Sequence, residues 1–187
     1  NTPFRYFFGD NSPNPFKWKM RQLYLGLSSR KTPGASPLSD QYFSMSAYRL
    51  GPHTIKFSAK ACEDLPAEGV DRSNPNFLRD AMKAILRQRD ACFQFMVQVR
   101  DEDKRMPVED TTVAWSEKDA PFVPVARVFI PRQDFDTPEQ NALCENLSYN
   151  PWHGTEPHRP LGAINELRRD LYLHTAGFRR GRNEVPQ

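Results

Sequence analysis

Two stretches with a period of two constrain this chain more than anything else in it. His53-Thr54-Ile55-Lys56-Phe57-Ser58-Ala59-Lys60 puts Ile55, Phe57 and Ala59 on one side of an extended backbone. Cys92-Phe93-Gln94-Phe95-Met96-Val97-Gln98-Val99 does the same with Phe93, Phe95, Val97 and Val99. Its other side carries Gln94 and Gln98, so that side is expected to meet water, a ligand or a polar cavity. An aromatic-rich run from Gln41 to Leu50 precedes the first stretch, and Gly51-Pro52 between the two predicts a hairpin. Thr111 to Trp115 and Phe122 to Ile130 read as two further strands, with Pro124 placing the start of the second at an edge or bulge.

Helical periodicity supplies the rest. Asn76 to Gln88 is amphipathic, with Leu78, Ala81, Met82, Ile85 and Leu86 forming its apolar set. Pro15 to Leu27 predicts a helix capped by Asn14, with Phe16, Met20, Leu23 and Leu27 in one stripe. Thr137-Pro138 opens a short helix with a capping Thr and Pro at the first position. Leu161 to about Arg180 is helical, with apolar Ile164, Leu167, Leu171 and Phe178. Residues 31–40, 63–76 and 146–160 read as irregular, as 17 prolines in 187 residues suggest, where about 5% is typical. Strands and helices mix without strict alternation, which predicts an antiparallel α+β fold.

Charge and composition remove several function classes. Lys+Arg 26 against Asp+Glu 23 leaves a net charge of +3, not the clustered basic excess of a nucleic-acid binder. No apolar run approaches the ~18 residues of a membrane span, and residues 1–8 do not form a signal-peptide core. The chain opens on Asn1-Thr2-Pro3 without Met, so a fragment or a processed product is expected. Cys62, Cys92 and Cys144 form no metal motif, and their odd number predicts buried free thiols. The compartment stays open between cytoplasm and periplasm. His153 and His158 near Glu156 match no zinc spacing and are expected to make structural hydrogen bonds in a loop. Trp115 and Trp152 are expected to pack, and His174 to lie at the surface.

The chemically suggestive pair is Arg168 and Tyr172, four apart and so on one face of the C-terminal helix. A guanidinium one turn before a phenol favours the phenolate, a hard anionic ligand for ferric iron. Arg179 lies seven residues further on and could pair with a carboxylate such as a haem propionate.

Around this pair the chain resembles catalases, in particular the compact bacterial catalase-like haem proteins. The proximal helix of that family carries Arg-x-x-x-Tyr, then Thr three later and Arg seven later. Here those positions are Arg168, Tyr172, Thr175 and Arg179. The lead-in, Leu147-Ser148-Tyr149-Asn150-Pro151-Trp152-His153 and then Glu156-Pro157-His158-Arg159-Pro160-Leu161-Gly162-Ala163-Ile164-Asn165, is similar to the compact branch's signature. Trp115, Pro121 to Val125 and Phe129 look like the family's barrel strand, and Tyr42 to Ala59 like the preceding pair. The resemblance implies one catalase-type domain over 1–187. It has an N-terminal helix and loop at 1–40, barrel strands and a helix at 41–132, and a wrapping loop and proximal helix at 133–182. The sheet would be an antiparallel β-barrel with flanking helices, incomplete at the N-terminus.

By the same resemblance the cofactor is haem iron. Tyr172 is its axial metal ligand, Arg168 the charge partner, and Thr175 and Arg179 further cofactor contacts. The implied activity is decomposition of hydrogen peroxide, or peroxidation, in the intact protein. One alternative is an enzyme on the same scaffold that processes organic or lipid hydroperoxides. Another is a haem-free structural or interaction module. The chain departs from the family pattern at His174, where Asp is usual, and at Asp170, where an aromatic is usual. None of His53, His153, His158 and His174 stands in the family's distal context. An incomplete barrel exposes strand edges, so association of the chain with itself is expected.

Overall fold

The computed structural model describes residues 3–9, 13–28, 36–66, 69 and 71–183. It divides into two compact units, 1–34 and 35–187. Part of the expected loop at 31–40, and residues 67, 68 and 70 of the loop at 63–76, lie outside the described residues.

The first unit holds helix α1 (Pro3–Phe7), a 3-10 turn (Pro15–Lys17) and helix α2 (Met20–Ser28). Asn14 caps the turn as expected, accepting from the Phe16 N–H at 3.0 Å. The predicted single helix over 15–27 is instead broken at Trp18, whose backbone is extended. The break has a tertiary cause: Lys19 N–H donates to Phe7 O at 2.7 Å, and the Phe8 and Trp18 rings meet edge-on at 5.2 Å. The expected stripe is not a core face, since Phe16, Met20 and Leu27 are exposed.

The second unit is built on an antiparallel sheet of strands β1 (Gln41–Phe43), β2 (Tyr48–Leu50), β3 (His53–Ala61), β4 (Ala91–Val99) and β5 (Val123–Ile130). Its order is β1-β3-β4-β5, with β2 also on β3. The hairpin turn is the expected one: Leu50 pairs with His53, and Gly51 takes φ +57°, a conformation that a side chain disfavours. At β5 the register slips between Phe95 and Met96, which pair with Ala126 and Pro124 and leave Val125 as the extra residue. Pro124, with no N–H to give, thus sits at a bulge. The sheet is open among the described residues, so closure into a barrel is not seen.

Helix α3 (Phe77–Gln88) buries Ala81, Ile85 and Leu86, three of its five predicted apolar residues. Ile85 and Leu86 join Leu38, Leu65, Ala91 and Phe93 in the main core. Arg79 and Lys83 both pair with Asp136, Lys83 at 2.5 Å, and Arg87 pairs with Asp134 at 2.8 Å. These pairs hold the segment after β5 along α3. A second core of Ala47, Met106, Trp115 and Ala120 anchors the long loop after β4. In that loop the expected strand at Thr111–Trp115 is absent. Asp110 Oδ1 accepts from the Thr112 N–H at 3.0 Å and the Thr112 hydroxyl at 2.6 Å, a local turn that competes with sheet pairing.

The cysteine expectation is corrected as well. Cys62 and Cys92 form a disulfide with Cα atoms 5.4 Å apart, and Cys144 is free but exposed. The cause is register: Ala61 pairs with Phe93, which brings Cys62 beside Cys92.

Helix α4 (Pro138–Asn146) is capped by Thr137 as expected, which accepts from the Gln140 N–H at 3.3 Å. Helix α5 (Ala163–Arg182) starts after Gly162, which has no capping side chain and a φ of +87°. Glu109 substitutes from another loop, its Oε2 accepting from the Ala163 N–H at 2.9 Å, where the helix dipole favours an anion.

Candidate functional site

Helix α5 meets the sheet through polar groups. Asn165, 0% exposed, is the centre. Its amide nitrogen donates to Ala47 O at 3.0 Å and Leu161 O at 2.8 Å. Its Oδ1 accepts from the Ser46 hydroxyl at 2.9 Å and from Arg168 Nη1 at 3.1 Å. The Trp152 indole donates to the Asn165 carbonyl at 2.7 Å, and the Arg169 guanidinium lies 5.1 Å from the Trp152 ring centre. The irregular segment at 146–160 is thereby tied along the helix, helped by Asn150 donating to Arg169 O at 3.3 Å.

Arg168 and Tyr172 share one side of α5, as the spacing predicts. Arg168 Nη2 reaches the Tyr172 hydroxyl at 3.4 Å, and the guanidinium lies 5.3 Å from the ring centre. Nη1 also reaches the hydroxyls of Ser46 at 3.4 Å and Tyr48 at 3.3 Å. Partial burial alone would lower the Arg168 pKa. The interactions with Tyr172 and Tyr48 outweigh it and raise the value above its ordinary range, so this cation is permanent.

The other expected site residues are placed differently. The Thr175 hydroxyl turns back on its own helix, donating to Leu171 O at 2.7 Å. Arg179 Nη2 donates to Leu147 O, while its buried Nε has no partner among the described residues. His174 is exposed, its ring Nδ1 2.9 Å from Asp170 O, and His158 contacts Thr155 at 2.9 Å. Tyr48 and Asn165 stand in runs that carry the resemblance but are given no role from sequence, and Ser46 is not singled out at all. The two tyrosine-side partners lie some 120 residues upstream, and no local pattern marks them.

The donor set suits a haem in kind. Among the described residues the Tyr172 oxygen meets only Arg168, which leaves lone pairs for a metal. The unpartnered Arg179 Nε is a donor that a carboxylate could take. Two cavities, of about 320 and about 380 Å³, lie elsewhere; neither is lined by Tyr172 or Arg168. No helix among the described residues is long and apolar enough to cross a membrane.

An open antiparallel sheet carrying a helix on each side of the chain's long loop defines an α+β protein, and the arrangement is one that known structures share. The fold is similar to that of catalases. A fungal catalase matches with a TM-score of 0.62 at 17% identity, covering 79% of this chain and 32% of its own. Catalase A from Saccharomyces cerevisiae matches with a TM-score of 0.63 at 17% identity, covering 78% and 33%. A bacterial catalase matches with 0.58 at 18% identity, covering 78% and 31%. The chain thus spans about a third of the length of these catalases. At such identity the likeness is one of fold. No family model matches the sequence, and no curated protein matches it.

Proposed function

We propose that this chain binds haem through the Tyr172 oxygen and serves peroxide decomposition or peroxidation in the whole protein. The observation that carries the reading is the Arg168–Tyr172 pairing at 3.4 Å on one side of α5, within a catalase-like fold. A bound haem would supply the redox chemistry. Arg168 would keep a fixed positive charge beside the phenol oxygen that would hold the metal. Asn165, Ser46 and Tyr48 would hold that guanidinium in place. Arg179 would offer its spare N–H to a propionate. Peroxide cleavage also needs a general base within hydrogen-bond reach of the substrate. His53, His153, His158 and His174 are all exposed, and no described contact links any of them to Tyr172.

The test is optical. Haem titrated into the purified chain is expected to give a saturable Soret band, and Tyr172→Phe is expected to weaken binding by roughly tenfold or more. A band of equal affinity in Tyr172→Phe refutes the ligand assignment. A chain that stays colourless refutes haem binding and favours the second reading, a haem-free interaction module. That reading is supported by the exposed apolar residues Leu167, Leu171 and Phe178 on α5.

A further inference from the structure

The cleft of about 320 Å³ lies on the sheet, between β3, β4 and the long loop. Lys56 and Gln98 are directly paired across β3 and β4, and both line it. Such cross-strand neighbours project to the same face with Cβ atoms roughly 5 Å apart. Gln98 is 2% exposed. Its amide nitrogen is committed to two carbonyls, Ala120 O at 2.8 Å and Trp115 O at 3.4 Å. Only a donor can face two acceptors, so the amide orientation is fixed and Oε1 is the remaining atom. No described residue donates to it. Gln98 lines the cleft, so this free acceptor is a place for a ligand's N–H.

The two charges at the cleft have no ion-pair partner among the described residues. Lys56 Nζ lies 4.8 Å from the centre of the Trp115 ring and makes no ion pair among the described residues. Burial pushes its pKa down. Glu117, an exposed carboxylate on the same lining, also has no partner among the described residues. Ser44, Thr111 and Thr112 add hydroxyls to the wall, and its apolar part is Phe43 and Phe122, with rings 5.8 Å apart, together with Met45 and Trp115.

We propose that this cleft binds a zwitterionic amino acid with an apolar or aromatic side chain. Its carboxylate would sit on the Lys56 ammonium. Its own ammonium would donate to Gln98 Oε1 and Glu117, and its side chain would lie against the two phenylalanines. A ligand with one charge leaves Lys56 or Glu117 unmatched, and a neutral one leaves both. Cavities of this size hold small ligands. Neither Tyr172 nor Arg168 lines this cleft, and the proposal does not rest on haem.

The experiment is calorimetric titration of the full chain with L-phenylalanine, 3-phenylpropionate and phenethylamine. L-Phenylalanine is expected to bind one-to-one with Kd below about 1 mM, and each single-charge analogue roughly tenfold or more weaker. Lys56→Met, which keeps the length of the side chain, is expected to weaken L-phenylalanine roughly tenfold and leave phenethylamine unchanged. Glu117→Gln is expected to weaken L-phenylalanine as well and leave 3-phenylpropionate no weaker. Circular dichroism of both variants should match the parent. No saturable binding at about 10 mM overturns the proposal, as does an L-phenylalanine affinity that either variant leaves within about twofold. Equal affinity for 3-phenylpropionate and L-phenylalanine overturns it too.

Discussion

Removing the Cys62–Cys92 cross-link tests the architecture most directly. The disulfide joins residues separated by 30 in sequence, from the residue after β3 to the second residue of β4, and closes the connection through α3 into one loop. In the chain-entropy model, a loop of this length removes about 3.5 kcal/mol of conformational freedom from the unfolded chain. The folded chain has little to lose by the replacement. Cys62 is exposed and Cys92 half-buried, so two Ser residues leave no large cavity. The backbone hydrogen bond from Cys62 N–H to Cys92 O, at 2.9 Å, survives the change. The whole effect should therefore appear as a less stable protein with a looser unfolded state. For a domain of this size, about 3.5 kcal/mol corresponds to a fall in Tm of roughly 7–14 °C.

The assay is urea denaturation of the parent, the parent with reductant, and Cys62→Ser/Cys92→Ser. The last two should coincide and should show a larger m-value than the oxidised parent, because the uncrosslinked chain exposes more surface. Thiol titration in denaturant without reductant should find one reactive group, Cys144. Three reactive thiols in protein purified under oxidising conditions would refute the bridge. A stability difference below about 1 kcal/mol would refute the entropic reasoning even with the bridge present.

Two further changes probe the polar frame. Asn165→Ala strands the Leu161 carbonyl, takes one of two donors from Ala47 O, and removes an acceptor from Ser46 and Arg168; a loss of about 2–4 kcal/mol is expected in the same assay, and a loss under 1 kcal/mol contradicts its central place. Acid should loosen the strap along α3. Hydrogen bonds from Lys83, Asn141 and Arg79 hold the Asp136 carboxyl well below the usual carboxylate range, and the Asp136 N–H and Arg87 lower Asp134. Near pH 3–4 the unfolded chain then binds more protons, so the contribution is full above about pH 4 and fades as pH falls further; Asp136→Asn should flatten that limb of a pH–stability curve.

How much of this was legible in the sequence depended on whether the deciding contact was local. Helix α3 follows its periodicity because Ile85 and Leu86 pack against Leu38, Leu65 and Phe93, with Ala59 beside them, whereas β4 buries Met96 and Gln98 on the face the pattern marks as polar and leaves Val99 exposed on the other. Pro124 announced its bulge because a missing N–H is a property of one residue. The disulfide was hidden, since Cys62 and Cys92 become neighbours only through the pairing of Ala61 with Phe93. The turn at Asp110 was hidden because a side chain there wins donors that an extended strand would have needed.

Helix α5 shows most clearly where periodicity stops being informative. The pattern fixed its span and ranked its faces by hydropathy, which selects Ile164, Leu167, Leu171 and Phe178. Of these, Leu167 is 67% exposed, Leu171 56% and Phe178 71%, while the residues buried are Asn165 and Ala176. The helix is seated by its polar side. A buried Asn with four hydrogen bonds is as strongly directed inward as a Leu, because any other orientation leaves Leu161 O unsatisfied and breaks the bonds to Ala47, Ser46 and Arg168. The Arg168–Tyr172 pairing could be read in advance because four residues on a helix is a local distance. What gives that pairing its fixed geometry could not. The guanidinium is clamped by Ser46 and Tyr48, which lie 122 and 120 residues earlier in the chain. The charge at the candidate site and the docking of α5 on β2 are thus one set of hydrogen bonds, and neither can be altered without the other.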